Sequence, residues 1–339
     1  MIKATTHGRA GIIGNPTDGY GGSLVSCSIK NHAEVLIRED KELLIENRFG
    51  QTALRWENDF ANQGDYFDIV RCVLRFLKLY DLKARITIQS DIPLQAGLSG
   101  STAILSSVLA GLLAFTGRTC SRYQLAEMNR AIELNYLKCQ CGYQDAYMTT
   151  FGGLNFLDLR GKEYYREWEQ ETYGVVENLT QYVERLPFVI AHTGVKHHSG
   201  QFHRPLRERW LEGDPALVNG YQEIAAIARE GKKALIQQNW PELAYLMNKN
   251  HQIQDSLCDS GEQNRRMIDT ALKHGAMAAK LAGAGGGGTI IVLTLEPEKI
   301  IHELKTAGAE EFVELYPGAA GVTTEYIDET QEYVAATNS

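Results

Sequence analysis

Two spacings organise the apolar positions of this chain. Ala33, Val35 and Ile37, then Leu43 and Ile45, alternate with polar neighbours. Period-two alternation turns every second side chain to one face, so these stretches are expected strands. Residues 66–79 instead carry Ile69, Val70, Val73, Leu74 and Leu77 at helical spacing, a single apolar stripe on a helix. Alternation returns at 85–89, with Ile86 and Ile88 facing one way. The mostly apolar run at 103–115 then has the length and Ala/Leu content of a buried helix. Ser121 with Gln124 three residues later forms a capping box, starting a helix that is expected to reach about residue 137. Gly152, Gly153 and an alternating run at 154–159 predict a hairpin closing this half.

The pattern changes near residue 185. Residues 187–191 read as a new buried strand ending at His192. Lys196, His197, His198, His203, Arg204, Arg207 and Arg209 then crowd into one polar stretch. No carboxylate or cysteine completes a metal set at useful spacing, so a mobile basic loop is expected. Helices follow at 216–237, 241–257 and 262–273, then a strand at 289–293 and a helix at 298–307. The order predicts an α+β sandwich in two domains, 1–184 and 185–339. A net charge of −8 argues against nucleic acid or an anionic membrane as partner. No apolar run approaches a membrane span, and the first residues lack a signal-like apolar core. The six cysteines are scattered without C-x-x-C spacing, as in a reduced cytoplasmic protein. The expected partner is a small molecule, for a monomer or homodimer.

Four stretches carry candidate chemistry. Between the strand at 85–89 and the buried helix, residues 93–103 read P-L-Q-A-G-L-S-G-S-T-A. Small residues opening onto a helix N-terminus suit an anion, because backbone N–H groups there are unpaired and the helix dipole adds positive character. A turn in which Ser99 or Ser101 merely caps the helix has the same sequence. At the start, a strand could carry Arg9 and the loop residue Asp18 toward one sheet end. Glu133 falls near a helix end and Asp145 in a less regular segment. Late in the chain, Gly283, Gly285 and Gly288 formally match G-x-G-x-x-G, yet a β-branched strand follows where a dinucleotide fold needs a helix. No Walker A sequence occurs.

Taken together, residues 9–18, 93–103 and 280–288 resemble the three motifs of the GHMP kinases, the family of galactokinase, homoserine kinase, mevalonate kinase and phosphomevalonate kinase. The central loop departs from the family's G-L-G-S-S-A in one place: Ser99 and Gly100 stand swapped. Within the family the chain looks most like plant-type glucuronokinases, through residues 14–18, 97–101, 209–214 and 246–248. The resemblance implies a ribosomal-protein-S5-like N-terminal half, a ferredoxin-like C-terminal half, and ATP and substrate in the cleft between them. It implies ATP phosphates on the loop of Pro93, Gln95, Ala96, Gly97, Leu98, Ser99, Gly100, Ser101 and Thr102. Mg2+ would be held by Ser101 and Glu133. Asp145 would orient the acceptor hydroxyl and Arg9 would stabilise the transferring group. Asn15, Asp18, Gly283, Ala284 and Gly285 would face the substrate. The implied acceptor is the anomeric hydroxyl of a sugar, glucuronate first, with galactose, arabinose, fucose or a heptose phosphate as alternatives. A non-catalytic sugar and ATP sensor is the remaining one.

Overall fold

A computed structural model describes residues 1–162, 166–195, 199–283 and 288–328. In chain order the first elements are β1 (Ile2–Ile13), β2 (Ser23–Glu39), β3 (Leu43–Asn47), β4 (Gly50–Leu54), α1 (Asp68–Leu77) and β5 (Ala84–Ser90). Next come α2 (Gly100–Phe115), α3 (Arg122–Ala131), α4 (Gln144–Phe151), β6 (Leu154–Asp158) and β7 (Val175–Asn178). The later part contains β8 (Phe188–His192), α5 (Ser199–Leu211), α6 (Pro215–Ile236), α7 (Trp240–Leu257) and α8 (Glu262–Lys273). It ends with β9 (Ala278–Leu281), β10 (Thr289–Leu293), α9 (Pro297–Thr306), β11 (Glu311–Val313) and β12 (Thr323–Tyr326).

The strands form two sheets. The first runs β12-β1-β2-β5-β3-β4, with β6 and β7 joined to the early part of β2. It is antiparallel except where β3 meets β5. The second runs β11-β8-β10-β9, all antiparallel. Helix α2 is apolar nearly all round and lies against β1 and β2, burying Leu105, Val108, Leu109 and Leu112. Burying each such side chain contributes on the order of 2 kcal/mol. A second core joins the two sheets, with Ile12 and Ile13 of β1 packed among Ile190, Leu243, Leu246 and Ile291. No helix among the described residues is long and apolar enough to cross a membrane.

The periodic stretches become the elements their spacing predicts: α1, β5, α2, α3 and the three helices α6 to α8. Four local expectations are corrected. The helix at 122–137 is α-helical only to Ala131, and Ile132–Tyr136 winds as a π-helix. Asp145 stands in the first turn of α4 rather than in an irregular segment. The alternating run at 154–159 does not alternate in burial: β6 is buried along nearly its whole length, between β2 and β7. The basic stretch is helix over Ser199–Leu211, and Lys196, His197 and His198 lie outside the described residues.

Candidate active site

The site forms where β1 meets two loops at once. The Arg9 amide donates to the Leu98 carbonyl at 3.1 Å, and two residues on the Gly11 amide donates to the Ala282 carbonyl at 3.0 Å. Thr289 Oγ1 adds a bond of 2.8 Å to the Ala96 carbonyl. The loop before α2 is thereby fixed to both sheets. Gly97 and Gly283 come so close that a Cβ on Gly283 would lie 3.2 Å from the Gly97 carbonyl oxygen. An open cleft of about 1600 Å³ spreads from this junction and is lined by Arg9, Asn15, Asp18, the loop from Pro93 to Thr102, Glu133, Asp145 and Gly283.

The loop leading into α2 has the geometry of an anion cradle. Gln95, Gly97 and Ser99 have φ of +55°, +73° and +62°, so alternate residues are left-handed and the main chain folds back toward the cleft. No side chain caps α2. Ser99 is 6% exposed, and its hydroxyl has no hydrogen-bond partner among the described residues. A 16-residue helix that begins without a cap presents free N–H groups and its dipole's positive end to whatever occupies the cleft. The alternative of a serine-capped turn is excluded.

Charged groups converge beside this loop. Arg9 is buried and donates through Nε to Asp145 Oδ1 at 2.7 Å, through Nη2 to the same oxygen, and through Nη1 to the Gly97 carbonyl at 2.6 Å. One guanidinium therefore ties α4 to the phosphate-loop candidate. Glu133 stands on the π-helical turn, a widening common at functional sites. It is buried and accepts from Thr102 Oγ1 at 2.6 Å. Burial, then the charge of Asp145, pushes its pKa up to about 7, against the opposing pull of Thr102, Cys141 and Arg130. A buried carboxyl raised partly by the charge of a neighbouring carboxylate forms a place where a cation is welcome. Ser101 is exposed and also lines the cleft. Among the described residues no group of three or more His, Cys, Asp or Glu is arranged for a metal. The oxygens of Glu133 and Ser101 suit the donor chemistry of Mg2+, which takes one or two protein ligands and keeps water and phosphate oxygens for the rest.

The loop after β1 forms the far wall. Asp18 is buried in a short 3-10 turn, and its Oδ2 accepts from the Gln144 amide at 2.9 Å, at the first residue of α4. A carboxylate 126 residues away in sequence thus meets the positive end of the helix bearing Asp145. A Cβ at Gly142 would lie 1.8 Å from Asp18 Oδ2, so any larger residue there would have to displace the Asp18 carboxylate. Asn15 Nδ2 donates to the Gly283 carbonyl at 2.8 Å. Ala284 and Gly285 lie outside the described residues.

The arginines of α5 separate. Arg209 pairs with Asp214, which caps α6, and donates to the Leu257 carbonyl, so it is spent on structure. Buried Arg207 reaches the loop after Asp18, with its guanidinium 5.6 Å from the Tyr20 ring centre and a long bond to the Gly19 carbonyl. The side chain of Arg204 lies outside the described residues.

Sequence reasoning missed the opposite end of the cleft. Phe49, at the β3–β4 turn, stacks on Tyr66 with ring centres 4.0 Å apart, and Arg48 lies over the Phe49 ring. Both aromatics are half exposed. The only cue was a phenylalanine in a polar Asn-Arg-Phe-Gly turn.

Residues 68–153 match the family model for the GHMP kinases N-terminal domain, and residues 232–310 match that for the GHMP kinases C-terminal domain. A probable glucuronokinase 2 of Arabidopsis thaliana is 30% identical over 318 residues, spanning 84% of this chain and 83% of the relative. Among solved structures, Lactococcus lactis galactokinase complexed with galactose superposes with a TM-score of 0.76 at 18% identity, covering 95% of each chain. Streptococcus pneumoniae phosphomevalonate kinase, in complex with phosphomevalonate and AMPPNP, superposes at 0.74 with 15% identity, covering 96% of this chain and all of that one. The chain belongs to the GHMP kinase family. It is an ATP-dependent phosphotransferase that acts on a hydroxyl acceptor, in the two-domain fold of that family.

Proposed function

We propose that this kinase phosphorylates the anomeric hydroxyl of a sugar, with glucuronate as the acceptor, giving a sugar 1-phosphate and ADP. One observation carries the reading: the uncapped end of α2, with a Ser99 hydroxyl that has no partner among the described residues, lies on the same loop that Arg9 ties to Asp145. Phosphoryl transfer needs positioning, charge neutralisation and control of the acceptor proton. The main chain from Gln95 to Thr102 holds the phosphates on its N–H groups. Asp145 accepts a hydrogen bond from the attacking hydroxyl and orients it, and Arg9 stabilises charge on the transferring group while fixing Asp145 in place. Glu133 and Ser101 hold Mg2+, which when bound neutralises phosphate charge. Asn15, Asp18 and Gly283 face the sugar.

The choice of sugar rests on relatives. Besides the probable glucuronokinase 2, a second Arabidopsis thaliana relative named glucuronokinase 1 is 28% identical over 309 residues. A uronate calls for a cation, and Arg207 beside the Asp18 loop is the described α5 arginine nearest that role. An ADP-release assay across glucuronate, galactose, arabinose, fucose and a heptose phosphate tests the assignment. Glucuronate should exceed each neutral sugar at least about 100-fold in kcat/KM, the scale set by one charge-assisted contact. Preference for a neutral sugar overturns the acceptor, and nucleotide binding without ADP release from any of them overturns the activity.

A further inference from the structure

Lys280 on β9 is wholly buried, and the roles above leave it unused. Its Nζ donates to Asn15 Oδ1 at 2.7 Å and to the Leu281 carbonyl at 2.5 Å. Both acceptors are neutral. Arg9 on β1 repels the ammonium, and burial together with Arg9 pushes its pKa down to about 7. His251 on α7 adds no second positive charge beside it, because burial and Lys280 itself push its pKa down to about 4. An ammonium held away from water beside neutral oxygens is costly, and a methionine of similar length would pack there without that cost.

What the ammonium does is visible in its partner. With Asn15 Oδ1 occupied by a group that can only donate when charged, the amide has one orientation. Its Nδ2 must face the carbonyls of Gly283 at 2.8 Å and Leu281 at 3.3 Å. The same loop is gripped from α7, where Asn250 donates to the Asn15 carbonyl and accepts from the Gly14 amide. Gln254, one turn on, donates to the Gly283 carbonyl. Residues 14–18 and the start of the glycine segment are therefore locked together through a node in which Lys280 is the charged member.

We propose that Lys280 is a positioning residue for the acceptor: it orients the Asn15 amide, fixes residues 14–18 against Gly283, and so sets acceptor affinity without touching the nucleotide. This rests on the reading of residues 14–18 as the acceptor wall, and the test is run with whichever acceptor the sugar panel identifies. Lys280→Met should raise acceptor KM by about tenfold or more, the loss expected for a buried hydrogen bond to a charged donor, and leave ATP KM within about twofold. Lys280→Gln keeps an uncharged donor and should fall between Met and wild type; it also serves if the methionine variant does not fold, with thermal melts reporting the fold of each. In the Asn15→Ala background, Lys280→Met should add less than about twofold, since the lysine acts through Asn15. Acceptor and ATP KM rising together, an unchanged acceptor KM, or additive effects with Asn15→Ala would each overturn the proposal. An acceptor other than glucuronate would instead correct the substrate and leave this test standing.

Discussion

Helices α2 and α3 both start at a serine and treat it in opposite ways. Ser121 has an extended backbone; its hydroxyl accepts from the Gln124 amide, and the Gln124 side chain accepts from the Ser121 amide. Every local rule is met, and the helix end is closed. Ser99 is left-handed, its hydroxyl is unpartnered among the described residues, and no side chain caps the helix behind it. A left-handed serine costs on the order of 1 kcal/mol, and the open N–H groups forgo the stability a cap supplies. The closed end serves the fold. At the open end local consistency is given up beside the cleft, as the proposed phosphate loop would require.

The strongest way to sharpen this contrast is to disable the chemistry at the open end while sparing its binding surface. Asp145→Asn should lower kcat by about a thousandfold, within the range of lost acid–base assistance, and keep ATP KM within about twofold. Steady-state kinetics check it, and a kcat within a few-fold of wild type removes Asp145 from the mechanism.

Glu133 gives the next effect. Its carboxyl is raised in the fold, so the folded chain holds this proton more tightly than the unfolded chain does. The resulting stability is complete below pH 4.5, the ordinary value, and is lost as pH climbs through about 7. The loss amounts to about 3 kcal/mol by linkage. Metal-free wild type should therefore fall in melting temperature between pH 5 and pH 8 by several degrees more than metal-free Glu133→Gln. Thermal melts with a chelator decide, and parallel curves would contradict the burial argument. The same titration predicts a rising Mg2+ requirement below pH 7 in wild type.

The serines themselves give the smallest and most direct comparison. Ser121→Ala should cost about 1 kcal/mol of stability and leave kinetics unchanged. Ser99→Ala should do the reverse, raising ATP KM several-fold with stability within about 0.5 kcal/mol. Equal behaviour of the two would erase the distinction.

What could be read from the sequence was what is local. The capping box, the stripe of α1 and the buried run of α2 each lie within a few residues of chain, and each formed as expected. Helix α5 was hidden because Pro205 sits inside it and its histidines and arginines obscure a short apolar stripe. Leu206 and Trp210 anchor that stripe against Leu217, Tyr20 and Tyr221, contacts invisible along the chain. The α4 start was missed for a similar reason, since its acidic partner Asp18 comes from far upstream. The glycine-bearing stretches were legible as candidates. Their junction was not, because carbonyls of Leu98 and Ala282 make it, and backbone oxygens carry no residue identity.

The outer edge of β1 is completed by β12, register Ile2 to Tyr326 through Thr5 to Thr323, and the Ile327 amide reaches the Met1 carbonyl. A ribosome makes that neighbour roughly three hundred residues after β1 itself. Throughout that interval the Ile2–Thr5 end of β1 has its β2 partner but lacks the strand that seals its other side, the kind of exposed rim along which nascent chains stick to one another. The strand that carries Arg9 thus gains its last neighbour only after nearly all the elements between β1 and β12 have been made.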